Sequence, residues 1–282
     1  MKSKNPMFYT LWSLSILLCV ILSIFVLFFA SCSKLETAEK KGEDNPAVED
    51  AATQAGEALD TQLTDPGAET QTDSVSTRLA QTADAGSGYV DKFVFLGDST
   101  TYGLKYYGVL SGGSNTTQVW TPASGTLSLH QQSFATIVYP ESGEELTIVE
   151  AVTRKQPEYM LITLGVNGVS FMDEAYFTSE YTKLVQNIQS ASPNTKIILN
   201  SMYPVASDYK YLADINNQKI TTANVWVEKV AEATGVHFLN SYETIVGADG
   251  WLPQDKQNGD GIHLNADGFQ LILDYIRTHA YQ

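Results

Sequence analysis

The chain has 282 residues, with 32 acidic against 17 basic side chains and a formal net charge of −15. That balance argues against nucleic acid as substrate or partner, because a polyanion would be repelled. The only two cysteines, Cys19 and Cys32, lie close to the N-terminus, so the remainder can form neither an internal disulfide nor a thiolate metal site. The histidines, at 130, 237, 263 and 279, show no ligand spacing, which argues against a metal enzyme.

Residues 1–32 read as a leader. Lys2 and Lys4 precede an uncharged, mostly apolar stretch from Met7 to Ala30, the pattern that directs a chain to the secretory pathway. Phe29-Ala30-Ser31-Cys32 resembles a bacterial lipobox, with phenylalanine where leucine is usual, and this resemblance implies lipidation of Cys32. The same run is long enough to cross a bilayer uncut, since about 20 apolar residues suffice. Either outcome, a lipid or an N-terminal anchor, puts the rest of the chain on the extracytoplasmic face of the membrane. Residues 33–88 then read as an acidic, disordered tether. They are rich in Ala, Thr, Gln, Glu, Asp and Gly and contain no aromatic side chain, so little apolar surface offsets the entropy of ordering them.

Residues 89–282 are of a length that suits one domain with a sizeable core. Strand-like and helix-like runs alternate along it. Lys92–Leu96 predicts a first strand, and a second ends near Val119-Trp120. Residues 144–155 predict a helix that stops at Pro157, followed by a strand over 159–164. A helix over 173–190 is closed by Pro193, and a strand over 196–200 follows. A longer helix over 214–234 ends at Gly235, before a fifth strand over 236–239. Asn265 caps a last helix whose Phe269, Ile272, Leu273 and Ile276 recur at i, i+3, i+4 and i+7. The fold class is therefore α/β: a three-layer α/β/α sandwich around a mostly parallel five-stranded sheet, flavodoxin-like in arrangement.

Three motifs fall at the carboxyl ends of strands, where open α/β sheets bind their ligands. Gly97-Asp98-Ser99-Thr100 follows the first strand, and a serine at such a strand-to-helix turn holds its hydroxyl clear of the sheet beside backbone N–H groups. Gly165-Val166-Asn167-Gly168 follows a later strand. Asp260-Gly261-Ile262-His263 precedes the last helix and offers a carboxylate and an imidazole from one loop. A serine hydroxyl is a poor nucleophile until a base takes its proton, and an imidazole can do so near neutral pH.

These motifs, in this order, resemble those of the SGNH (GDSL-type) hydrolases, and the resemblance runs from about Tyr89 to Gln282. It implies Ser99 as nucleophile, His263 as general base and Asp260 as the carboxylate that orients it. It also implies an oxyanion hole made by the Ser99 N–H, a glycine N–H and the Asn167 side-chain amide. Gly125, in Ser124-Gly125-Thr126, stands where the family places that glycine, with Gly112 and Gly113 as rivals. The family often has an aspartate where this chain has Gly168. Asp98 is expected to support the turn. No cofactor is implied.

Trp120, Tyr203 and Trp251 each fall just after a predicted strand, so their rings are candidates to stack on a sugar or cover an acyl group. His130 and His237 are expected to satisfy structural hydrogen bonds. The resulting expectation is an extracytoplasmic, membrane-tethered serine esterase acting on small acyl esters, acetyl above all, including those of acylated glycans. The same residues would serve an O-acyltransferase, and a glycan-binding lipoprotein that has lost catalysis is the reading from a different class.

Overall fold

The structure, a computed structural model, describes residues 76–282. The expected leader, Cys32 and most of the expected tether lie outside the described residues.

The sheet starts with β1 (Phe93–Gly97), all of it buried. Burial on both faces explains why the sequence reads here as an unbroken apolar run rather than an alternation. β1 pairs in parallel with the two-residue β2 (Val119–Trp120) on one side and with β5 (Tyr159–Thr163) on the other. Beyond β5 come β6 (Lys196–Asn200) and β7 (His237–Leu239), also parallel, giving the order β2-β1-β5-β6-β7. This is the flavodoxin-like order once the separate hairpin of β3 (Thr136–Val138) and β4 (Glu145–Thr147) is set aside. The topological switch lies between β1 and β5, the strands that lead into Ser99 and Asn167.

Successive β1 side chains point to opposite layers. Phe93 and Phe95 pack with Leu104 of α2 (Ser99–Tyr106) and with Phe269, Ile272 and Ile276 of α7 (Ala266–Thr278). Val94 and Leu96 join the other core, which holds α3 (Ile148–Lys155), α4 (Glu174–Ala191) and α5 (Asn217–Thr234). Two short helices, α1 (Ser87–Val90) and α6 (Tyr242–Ile245), complete the set. The caps are those the sequence offers: Asp173, Asn216 and Asn265 accept from backbone N–H groups of the first turns of α4, α5 and α7, and Gly235 ends α5 in the left-handed region.

Most boundaries shift by a few residues, as where the helix expected from Asp214 begins at Asn217, and two of the differences have a clear physical reason. The helix expected from Glu144 begins at Ile148, because residues 145–147 pair antiparallel with β3 and Thr147 caps α3 through a capping box with Glu150. The domain expected to begin at Tyr89 already includes residues 77–88. Leu79 is buried, its N–H bonds to the Phe238 carbonyl, and Arg78 and Asp84 pair with Glu228 and Arg277. Edge pairing with β7 supplies what composition alone did not reveal.

Candidate active site

At the end of β1 the chain turns into α2. Asp98 is the N-cap: the Thr100 N–H and Oγ1–H donate to its Oδ1 at 2.9 and 2.7 Å. This turn leaves Ser99, half-exposed, as the first helical residue, whose N–H has no carbonyl available within the helix. On the far side of the sheet edge, the loop before α7 folds back on itself. Asp260 Oδ1 accepts the N–H groups of Ile262 and His263, each at 2.9 Å. Gly261 makes that loop possible. Its φ is +84°, and a Cβ there would sit 2.9 Å from the Tyr209 Cα.

The two loops meet. The Ser99 Oγ lies 2.9 Å from His263 Nε2, and His263 Nδ1 lies 2.6 Å from Asp260 Oδ2. The Asp260 and His263 side chains are 45% and 31% exposed, so water reaches both. Partial burial pushes the Asp260 carboxyl up, but the His263 and Ile262 N–H groups and the His263 ring outweigh it and hold it below its ordinary value. A hydroxyl, an imidazole and an ionised carboxylate in this chain can transfer a proton off the serine as it attacks a carbonyl.

The expected oxyanion donors are placed differently. Both amide protons of Asn167 are in use: Nδ2 donates to Asp98 Oδ2 at 2.9 Å and to the Leu127 carbonyl at 3.1 Å. Gly125 does sit against the nucleophile, since a Cβ there would lie 3.8 Å from the Ser99 Cβ. Its N–H, however, closes a turn on the Pro122 carbonyl at 2.9 Å. Among the described residues, the Ser99 N–H is the one expected donor without an acceptor. The three therefore do not form a ready set of free donors, because local turns and the buried Asp98 claim two of them. Where the family often has aspartate, Gly168 closes its own loop by donating its N–H to the Gly165 carbonyl at 2.7 Å.

Asp98 emerges as more than a cap. It is wholly buried, and burial raises its carboxyl to about 6 against the pull of the Thr100 hydrogen bonds and the nearby His263. It ties the nucleophile turn to the Asn167 loop.

The aromatic candidates divide. Trp120 is buried because the β3–β4 hairpin covers β2, setting the Tyr139 ring edge-on at 5.7 Å. Tyr203 is buried against the other core, its hydroxyl accepting from Asn200 Nδ2 at 3.4 Å. Neither can line an open site. Trp251 is half-buried and packs on the core. Exposed aromatics lie elsewhere on the motif-bearing segments: Tyr102 on α2, 45% exposed, and Phe171 after the Asn167 loop, 57% exposed, with the His130 ring edge-on to it. The signal for Tyr102 was its i+3 spacing from Ser99 along one helix. A cleft of about 500 Å³ is lined by Tyr102, Lys105, Thr121, Ser124 and Gly125 among others, and Gly125 is the residue that sits against Ser99. His130 and His237 hold structural hydrogen bonds, to Ser128 Oγ and the Thr77 carbonyl.

A parallel α/β sheet carrying a hydrogen-bonded serine, histidine and aspartate at its carboxyl edge is the architecture of serine acylhydrolases. The chain belongs to the GDSL-like lipase/acylhydrolase family, whose model matches residues 95–271, and so to the SGNH (GDSL-type) hydrolases. A comparison with curated proteins found no match. Among solved structures, one from Streptococcus pneumoniae, named for platelet activating factor, is similar at 17% identity and a TM-score of 0.51, covering 67% of this chain and 84% of that one. One from Bacteroides fragilis, named as an acylhydrolase, is similar at 19% identity and a TM-score of 0.50, covering 66% and 84%. At these identities the likeness is one of fold.

Proposed function

We propose that the chain is a serine esterase that hydrolyses short acyl esters, acetyl esters of glycans among them. The hydrogen-bonded chain from Ser99 through His263 to Asp260 carries this reading. In the first half-reaction His263 Nε2 accepts the Ser99 proton as Oγ attacks the ester carbonyl. Asp260 keeps the imidazole oriented and stabilises the imidazolium. The tetrahedral intermediate collapses, the C–O bond to the alcohol breaks, and His263 returns its proton to the departing oxygen. Water then enters, gives a proton to His263, and attacks the acyl-serine; collapse releases the acid and restores the Ser99 hydroxyl.

The developing oxyanion is met first by the Ser99 N–H at the head of α2, where the helix dipole adds to the hydrogen bond. Asn167 joins by sharing the proton now given to the Leu127 carbonyl. Because an oxyanion is a stronger acceptor than a neutral carbonyl, that exchange is favourable only once charge has developed.

The enzyme works outside the cytoplasm, held to the membrane through Cys32 or the uncleaved apolar run. Mass spectrometry of the membrane-extracted chain tests this, and an N-terminus without either lipid or apolar run would refute it. Labelling by a fluorophosphonate and turnover of an aryl acetate test the chemistry. Both should be lost in Ser99→Ala with thermal stability kept, and equal turnover by variant and parent would remove Ser99 from its role.

A further inference from the structure

Helix α2 begins at Ser99 and carries Tyr102 and Lys105 along the cleft that also takes in Thr121, Ser124 and Gly125. At about 1.5 Å rise per residue, Lys105 stands roughly 9 Å along the helix axis from the nucleophile. Its side chain is half-buried, and among the described residues no carboxylate pairs with it. That sets it apart. The arginines and most other lysines there are in ion pairs, Lys196 and Lys210 lie over tyrosine rings, and Lys219 donates to the carbonyls of Ala213 and Asp214.

Lys105 is thus a cation without a counter-charge in the wall of the cleft. Its position in the last turn of α2 places it at the negative end of the helix dipole. A helix-end role alone, however, gives no reason for the residue to line a cleft whose wall includes Gly125, the residue set against Ser99. In a chain of formal charge −15, a cation left unneutralised there is a local exception. Its attraction is felt over about 8 Å at physiological salt, comparable to its distance from the ester bond. Thr121, Ser124 and Tyr102 put polar groups into a wall that Val119, Pro122, Ala123 and Val138 otherwise make apolar.

We infer that Lys105 binds a carboxylate of the substrate, so that the site takes esters bearing a negative charge several bonds from the ester carbonyl, on either the acyl or the alcohol part. This rests on the esterase reading above and narrows its substrate class to acidic esters.

Two matched pairs of esters test it on the full chain and on Lys105→Gln. 4-Nitrophenyl butyrate against 4-nitrophenyl hemisuccinate puts the charge on the acyl part. An acetylated methyl galactoside against the corresponding methyl galacturonide puts it on the alcohol. The expected result is a KM about tenfold higher in Lys105→Gln for the charged member of one pair, with kcat and both neutral members little changed, as for loss of one charge-assisted contact. Lys105→Arg should retain most of the parent's KM. If Lys105→Gln shifts charged and neutral esters alike in both pairs, or shifts none, the inference is overturned while the esterase reading stands. If the parent turns over no ester at all, both fall together.

Discussion

Replacing Asp98 with asparagine should change how stability depends on pH. Asp98 is wholly buried, and its carboxyl is raised from an ordinary 3.8 to about 6, chiefly by burial. Ionising it inside the fold therefore costs about 3 kcal/mol more than ionising it in the unfolded chain. A carboxyl raised in this way binds its proton more tightly when folded. The stability it contributes is fully present below about pH 4 and is lost as pH rises through about 6. Asparagine cannot ionise, so the variant escapes that loss. It does incur a pH-independent cost, because its NH₂ cannot accept from Asn167 Nδ2 as the Asp98 Oδ2 does at 2.9 Å. One such broken contact costs about 1–3 kcal/mol. The stability of Asp98→Asn relative to the parent should thus rise by about 2–3 kcal/mol between pH 4 and pH 7, from a clear deficit to near parity. Urea unfolding of both proteins at each pH measures the difference, and comparing the two removes the contributions of all other carboxylates. A difference that stays constant across this range would refute the account of Asp98 as a costly buried charge.

His263→Ala should abolish turnover, by at least about 10³-fold, while Asp260→Asn costs less and a Ser99/His263 double variant is no slower than either single one, as expected of groups acting as one unit. Steady-state kinetics on an aryl acetate decides it, and strictly multiplicative losses would argue against a shared role. Asn167→Ala should lower kcat by about 10²-fold with little change in KM; a loss confined to thermal stability would make Asn167 a strut for Asp98 alone. Gly103→Ala should lower the melting temperature by the equivalent of about 1–3 kcal/mol despite alanine's better helix propensity. The reason is that a Cβ there would meet the Phe269 ring at 2.2 Å, and Phe269→Leu in the same chain should restore part of the loss.

The sheet was legible because its strands are buried on both faces and so stand out as short apolar runs between helices with clear caps. Asn265 and Gly235 acted as punctuation in the structure as they do in the sequence. Ser99, Asp260 and His263 were legible from motif and order, and the fold brings them within hydrogen-bonding distance. What escaped depends on tertiary contacts. Thr136–Val138 and Glu145–Thr147 are too short and too exposed to announce a hairpin, and without the hairpin nothing in the sequence says that Trp120 is covered. Residues 77–88 look polar enough to be tether, yet they gain backbone partners on β7 and α7. That the Asn167 amide is taken by the distant Leu127 carbonyl is likewise something local sequence does not specify, whereas the Gly125 N–H goes to a local turn on Pro122.

The two aspartates of the site are chemically alike and physically opposed. Asp260 is partly solvated and held below its ordinary pKa by two backbone N–H groups and the imidazole, so it stays ionised wherever the imidazolium needs a counter-charge. Asp98 is buried, and its ionised form is penalised even with three hydrogen bonds to it. A fold selected for stability alone would replace Asp98 with a neutral cap, since asparagine or serine caps a helix about as well. Neither can accept from Thr100 with one oxygen and from Asn167 with another. That double acceptance fixes the distance between the turn that carries Ser99 and the loop that carries Asn167, two segments from adjacent strands with no covalent link. The cost of the buried charge is thus tied to the geometry at the nucleophile. The destabilisation of Asp98 above pH 6 and the placement of the Asn167 amide are therefore one property of the site, and a substitution that relieves the first should loosen the second.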